Sequence, residues 1–203
     1  DIDQLAFGAA ATATFDQVFI DNPTATIIGD ANVNALSFVL QRSGDSVPSI
    51  DLSGLTFQSW TKGTDQISIV GTKVHDSIVG SNQSDVINGG GGSDILKGGK
   101  GQDTFVFDVP IRRGTDHIVD FSHKNDTIEL SKSVFKKLKV GELSKDAFAY
   151  GNRAKDSDVH ILYNKQTGVV RYDKDGIGGH KAKVVTILDS DPNKVKHDDF
   201  FVV

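Results

Sequence analysis

An all-β fold is predicted by three features of the sequence. A nine-residue pattern recurs in fixed phase over residues 71–106, short apolar runs broken by Asn, Asp, Gly and Pro fill most of the remainder, and only SKSVFKKL at 131–138 offers a helix, a short one with Ser131 or Ser133 as its cap. In chain order, residues 1–62 (ATATFDQVFI, ATIIGDANVNALSFVLQ, SIDLSGLTFQSW) read as short strands. IDLSGLTF followed by GTDQISIVGT leads this region into the repeats as extra, less regular coils. Residues 63–130 form the repeat body, and residues 131–203 a β cap with at most that one helix.

Four units share one frame, G-G-x-G-x-D-x-(apolar)-x. GGGGSDILK (89–97) and GGKGQDTFV (98–106) are strict, and GTKVHDSIV (71–79) and GSNQSDVIN (80–88) are degenerate. The aspartate with an apolar residue two positions on persists further, at Asp65/Ile67, Asp76/Ile78, Asp85/Ile87, Asp94/Leu96, Asp103/Phe105, Asp116/Ile118 and Asp126/Ile128. These pairs predict one side-chain stack continued through irregular turns at its ends.

The period dictates the chemistry. Three residues around each apolar position make a strand of roughly 10 Å, and the first six positions turn the chain. Glycines there admit positive φ and expose carbonyls, while the sixth position supplies a short carboxylate. Each unit reverses direction, so a coil takes two units, and Asp76 lies over Asp94 and Asp85 over Asp103 in rungs about 4.8 Å apart. Calcium accepts six to eight oxygens at roughly 2.3–2.6 Å, so an ion between rungs reaches both aspartates and the glycine-turn carbonyls. The candidate ligands are Asp76, Asp85, Asp94 and Asp103 with Gly89, Gly90, Gly91, Gly92, Gly98, Gly99 and Gly101. The chain has no Cys and no clustered His, which argues against zinc or copper. Of 27 acidic residues only Glu129 and Glu142 are glutamate, a bias toward the carboxylate that fits tight oxygen-rich turns. A flexible Gly-rich linker needs no such phase, and a phosphate loop needs the G-K-[ST] that is missing here.

These residues resemble the RTX, or haemolysin-type, calcium-binding repeats. The resemblance implies a parallel β-roll with several calcium ions held between glycine-aspartate turns on both edges. GQDTFVFD (101–108) and GTDHIVDFSHKNDTIELS (114–131) resemble the region closing such rolls in the C-terminal domain of serralysin-type proteases and other secreted RTX proteins, which implies that Asp116 caps the final calcium layer. The lone Gly71 and Gly80, with Val74 and Gln83 in place of the fourth-position glycine, imply weaker or empty sites at those turns.

Residues 156–176 resemble the same family's C-terminal hairpin. Bottom-up, two apolar strands flank NKQTG, with Gly168 placed for the left-handed position of the loop. Asp173 and Asp175 before Gly176 read as a solvated turn, because an EF-hand-like cation loop requires further acidic positions and a distal Glu. Asp199, Phe200, Phe201, Val202 and Val203 resemble the C-terminal signature recognised by type I ABC exporters, a reading compatible with a terminal strand packed into the core. It implies that Val203 is the natural terminus.

The remaining features narrow the function. Net charge of −5 with pI near 5.6 disfavours nucleic acid or an anionic membrane surface as partner. No apolar run approaches ~18 residues, so no transmembrane segment is expected. The chain opens at Asp1 without a signal peptide, as expected of a fragment of a longer protein exported through its C-terminus. His75, His117, His123, His160, His180 and His197 show no H-E-x-x-H, and no G-x-S-x-G is present, so no enzyme is expected within these residues. Trp60, Tyr150, Tyr163 and Tyr172 offer a sugar-stacking face, with core packing as the commoner fate of such rings.

The reading is a secreted, extracellular or cell-surface calcium-binding module that serves as export signal and calcium-triggered folding unit. Its expected partners are calcium and a type I exporter. Two alternatives stand: the C-terminal part of an extracellular protease, lipase or polysaccharide-modifying enzyme with its catalytic domain upstream, or an adhesin binding extracellular polysaccharide or a cell surface.

Overall fold

The computed structural model describes residues 4–6, 12–16, 26–29, 34–42, 47–111, 114–177, 179–190 and 193–203. The predicted strands over the other residues of 1–62 lie outside the described residues. The first strands are β1 (Gln4–Ala6), β2 (Thr12–Asp16), β3 (Thr26–Ile28), β4 (Ala35–Val39), β5 (Ser49–Asp51), β6 (Thr56–Gln58) and β7 (Gln66–Val70). The repeats and their continuation supply β8 (Ser77–Val79), β9 (Asp85–Asn88), β10 (Ile95–Lys97), β11 (Thr104–Phe107), β12 (Asp116–Ile118) and β13 (Thr127–Leu130). Beyond them lie β14 (Gly141–Glu142), β15 (Phe148–Tyr150), β16 (Ile161–Asn164), β17 (Val169–Tyr172), β18 (Lys183–Leu188) and β19 (Phe200–Val202).

Odd and even units go to opposite sheets. One eight-stranded sheet runs β15-β16-β17-β18-β12-β10-β8-β5, the other β14-β19-β13-β11-β9-β7-β4-β2, and β1-β3-β6 form a small third sheet. All pairs from β2 to β13 are parallel. Ile78 faces Leu96 and Ile87 faces Phe105, an 18-residue advance that puts two units in each coil, as the period predicts.

Register turns the apolar positions into two columns. Ile50, Ile78, Leu96, Ile118 and Leu188 stack in one sheet, and Phe38, Ile69, Ile87, Phe105, Ile128 and Phe200 in the other. All are buried, and together they form the interior of the roll. The column departs from the sequence expectation at one rung. Ile69, not Ile67, stacks on Ile87, and Ile67 faces Asp85. Asp65 and Asp85 are 20 residues apart while the coil advances by 18, so the Asp65/Ile67 pair falls two positions out of step.

The expected helix at 131–138 is replaced by successive turns. Lys132 N–H ties the chain to Val203 O, and Lys132 Nζ donates to the carbonyls of Lys136 and Leu138. The segment therefore curls around the lysine and drops Phe135 and Leu138 into the core, and no i→i−4 ladder propagates. The helical pieces among the described residues are single 3₁₀ turns at Lys145–Ala147 and His197–Asp199.

The 156–176 hairpin forms as expected. β16 and β17 pair antiparallel, and Gly168 takes φ +67° beneath Leu188 O, a contact that leaves no room for a Cβ. No helix among the described residues is long and apolar enough to cross a membrane.

Candidate metal centre

Both edges of the roll carry a column of aspartates, each tied to the rung before it. On one edge Asp76 N–H donates to Asp94 Oδ1 at 2.9 Å, and Asp94 N–H donates to Asp116 Oδ1 at 3.0 Å. On the other, Asp85 N–H donates to Asp103 Oδ1 at 3.0 Å, and Asp103 N–H to Asp126 Oδ1 at 3.1 Å. Asp76 over Asp94 and Asp85 over Asp103 are the neighbours that the repeat period predicts, and both columns extend one rung further through residues outside the nine-residue frame.

The first glycine of each unit is what lets the carboxylate sit there. A Cβ at Gly89 would lie 2.6 Å from Asp94 Oδ2, and the carboxylate of Asp103 packs against Gly98 in the same way. Gly71 and Gly80 hold the equivalent places beside Asp76 and Asp85, where a Cβ would meet the carbonyl oxygens of Gly89 and Gly98 even before the aspartates.

The second position divides the turns into two kinds. At Thr72 and Ser81 the backbone amide donates to the Oδ2 of its own turn's aspartate, Asp76 at 2.6 Å and Asp85 at 2.7 Å, and the hydroxyl hydrogen-bonds the same carboxylate. Thr61 with Asp65 and Ser122 with Asp126 repeat the amide contact outside the frame. In the strict units this position is Gly90 (φ +83°) or Gly99 (φ +97°), conformations only glycine enters cheaply. Their amides point elsewhere, Gly90 N–H to Asn88 Oδ1 and Gly99 N–H to Asp120 Oδ2. Asp94 is fully buried, and its Oδ2 has no hydrogen-bond donor.

Burying these carboxyls is costly in electrostatic terms. Desolvation pushes the pKa of Asp85 and of Asp94 up to about 7 and that of Asp103 up to about 8; the carboxylates of Asp116 and Asp76 add to the effect at Asp94, and those of Asp85, Asp126 and Asp120 at Asp103. Burial likewise raises Asp76, Asp116 and Asp126. Columns of like-charged, water-excluded carboxylates are an environment that a hard divalent cation relieves.

The donor set fits calcium in its chemistry: oxygen ligands throughout, an orphaned buried carboxylate oxygen, and glycine-turn carbonyls alongside. Among the described residues no three His, Cys, Asp or Glu side chains converge into a ready-made cage. An ion at Asp94 would therefore have to draw on backbone carbonyls as well as carboxylates.

The sequence expectation missed Asp126 and Asp120. Asp126 was legible through the Asp126/Ile128 pair, whereas nothing in the local sequence marks Asp120, whose carboxylate accepts the amides of Gly98 and Gly99. Asp173 and Asp175 form a turn in which Asp175 pairs with His180 at 2.9 Å. The four candidate aromatic residues make no common face. Tyr163 and Tyr172 are buried, Trp60 packs on Phe57, and Tyr150 is covered by Lys165 Nζ at 3.7 Å. In the C-terminal segment Asp199, Phe200 and Val202 are buried, and Phe201 and Val203 are exposed.

Residues 70–105 match the RTX calcium-binding nonapeptide repeat family in four copies. No curated protein matches the chain significantly. The matched family is a calcium-binding repeat and not a catalytic one. The match falls on the four units whose aspartate columns and glycine turns build the centre described above, so residues 70–105 carry RTX calcium-binding repeats within an all-β roll.

Proposed function

We propose that this calcium-binding roll is a folding switch and stabilising unit for a type I secreted protein, and that the segment Asp199–Val203 is its export signal. The observation that carries the proposal is Asp94: fully buried, flanked by Asp76 and Asp116 in its column, with one oxygen left without a donor. On this reading Asp76, Asp85, Asp94, Asp103 and Asp116 are the carboxylates that hold the ions, with carbonyls of the turns Gly89–Gly92, Gly98, Gly99 and Gly101.

Without calcium the columns repel, and a core one apolar residue wide per rung does not offset the ordering entropy of the glycine turns. Cytosolic calcium is too low to fill sites of the extracellular class, with dissociation constants of roughly 10⁻⁴–10⁻³ M, so the chain stays unfolded until export. Outside the cell, calcium binds only the native state and draws folding forward by mass action. Burial of Phe200 and Val202 supports the same order of events, because an exporter reads such a signal only before the strand packs. Residues 63–130 then act as the switch, 131–203 as cap and signal, and 1–62 as the lead-in.

Far-UV circular dichroism of the chelated protein during calcium titration tests the switch, with magnesium as control. A cooperative gain of β signal at sub-millimolar to millimolar calcium, absent with magnesium, is expected. A β spectrum indifferent to chelator would remove the switch.

A further inference from the structure

We infer that this roll mixes two classes of turn, and that only the turns ending in Asp94 and Asp103 take a cation while those ending in Asp76 and Asp85 close on their own backbone. The inference rests on the calcium-binding reading above and limits where it applies.

The two classes differ in backbone at the second and fourth positions, where the strict turns place Gly90 and Gly92, or Gly99 and Gly101, at positive φ, and it is the second position that redirects the amide. Thr72 and Ser81 lie outside the left-handed region, so their amides point into the turn and donate to Asp76 Oδ2 and Asp85 Oδ2. Their hydroxyls reach the same carboxylates at 3.0 Å and at 3.1–3.2 Å. The hydroxyl oxygen then accepts the amide two residues on, Val74 N–H to Thr72 and Gln83 N–H to Ser81, which completes the turn. Donors on the protein thus supply what a cation would otherwise supply to these oxygens, at distances of ordinary charge-assisted hydrogen bonds.

Left-handed glycine at the second position abolishes that closure. With Gly90 at +83° and Gly99 at +97°, the inward amide is redirected and no hydroxyl exists to replace it. At Asp94 the consequence is the buried oxygen without a donor. A fully buried carboxylate oxygen left unsatisfied is expensive, so a ligand that satisfies it gains correspondingly.

The roll therefore has its cation-taking turns flanked by self-closed ones. Asp76 and Asp85 precede them in the columns, Asp126 follows Asp103 with its Oδ2 held by Ser122 N–H at 2.8 Å, and Asp65 is held by Thr61 N–H at 2.6 Å. Such flanking turns give the strict pair an ordered template on which to close when calcium arrives.

Ion counting by native mass spectrometry of the full chain at saturating calcium tests the division. Asp94→Asn and Asp103→Asn are each expected to lose at least one ion, and Asp85→Asn to keep the full count. The double substitution Ser81→Gly with Gln83→Gly converts residues 80–85 into a strict G-G-x-G-x-D turn and is expected to gain one ion. It decides the matter even if Asp85→Asn fails to fold, because an unchanged count in this variant overturns the division. Loss of an ion by Asp85→Asn also overturns it, while leaving the calcium reading intact. Full counts in both Asp94→Asn and Asp103→Asn would instead overturn calcium binding at these turns.

Discussion

The repeats at 71–106 and the segment at 141–203 join the same two sheets yet are stabilised differently. In the repeats each rung contributes one fully buried apolar side chain, Ile78, Ile87, Leu96 or Phe105, from a strand of three or four residues, and most of the rest of each unit is turn. The later segment packs rings against rings. Phe148 meets Tyr150 at 5.2 Å and Phe200 at 5.8 Å, Phe135 meets Tyr172 at 5.1 Å, and Tyr163 is fully buried. The contrast teaches that a rung with a one-residue core depends on what happens in its turns, whereas the aromatic layer depends on ordinary packing.

The largest effect should come from that thin core. Phe105→Ala removes the bulkiest side chain of the repeat column, at 0% exposure, and should cost about 3–5 kcal/mol in calcium-saturated unfolding. Phe201→Ala, at 44% exposure on the outer face, should stay within about 0.5 kcal/mol by the same denaturant titration.

Calcium sharpens the comparison next. Each site held at about 100-fold over its dissociation constant adds about 2.7 kcal/mol. Hydrogen exchange with calcium and with chelator should therefore show amides of 85–107 losing protection well before those of 161–172. Equal loss in both regions would mean that the two are a single cooperative unit.

In chelator, pH should act on the repeats with a definite sign. The folded-state pKa values of Asp85, Asp94 and Asp103, about 7, about 7 and about 8, lie above the ordinary value of 3.8, so the folded chain binds more protons than the unfolded one between roughly pH 4 and 8. Stability from these groups is fully present below pH ~4 and is lost as pH rises through 7 to 8. The calcium-free chain should show more β signal at pH 5 than at pH 8.5, and the reverse order would contradict the raised values. Saturating calcium should flatten or invert the trend, because the ion competes with the proton at Asp94 and Asp103.

A small effect is also expected at the seam between the regions. β12 meets β18 there, with His117 Nδ1 3.2 Å from Asp189 Oδ2 and both side chains about two-fifths exposed. His117→Ala should change stability by no more than about 1 kcal/mol, and a clearly larger loss would make the seam a principal support of the fold.

Much of this was readable from residue order. The all-β class, the 18-residue coil, the stacking of Asp76 on Asp94 and Asp85 on Asp103, and the hairpin closed at Gly168 all follow from local spacing. What failed had a non-local cause. SKSVFKKL carries a helical pattern, but the tether from Lys132 to Val203 brings in a partner 71 residues away. Asp120 has no repeat position, and its role depends on the unit before it reaching back with two amides.

By itself the sequence determined the period, the face on which each apolar residue falls and the carboxylate at each turn, because strand alternation and glycine's access to positive φ are properties of single residues and their immediate neighbours. Only the tertiary structure decided which carboxylates are already satisfied. The second-position torsion aims one amide into or out of the turn, and the adjacent rung either supplies a donor or leaves an oxygen without one, as it does at Asp94.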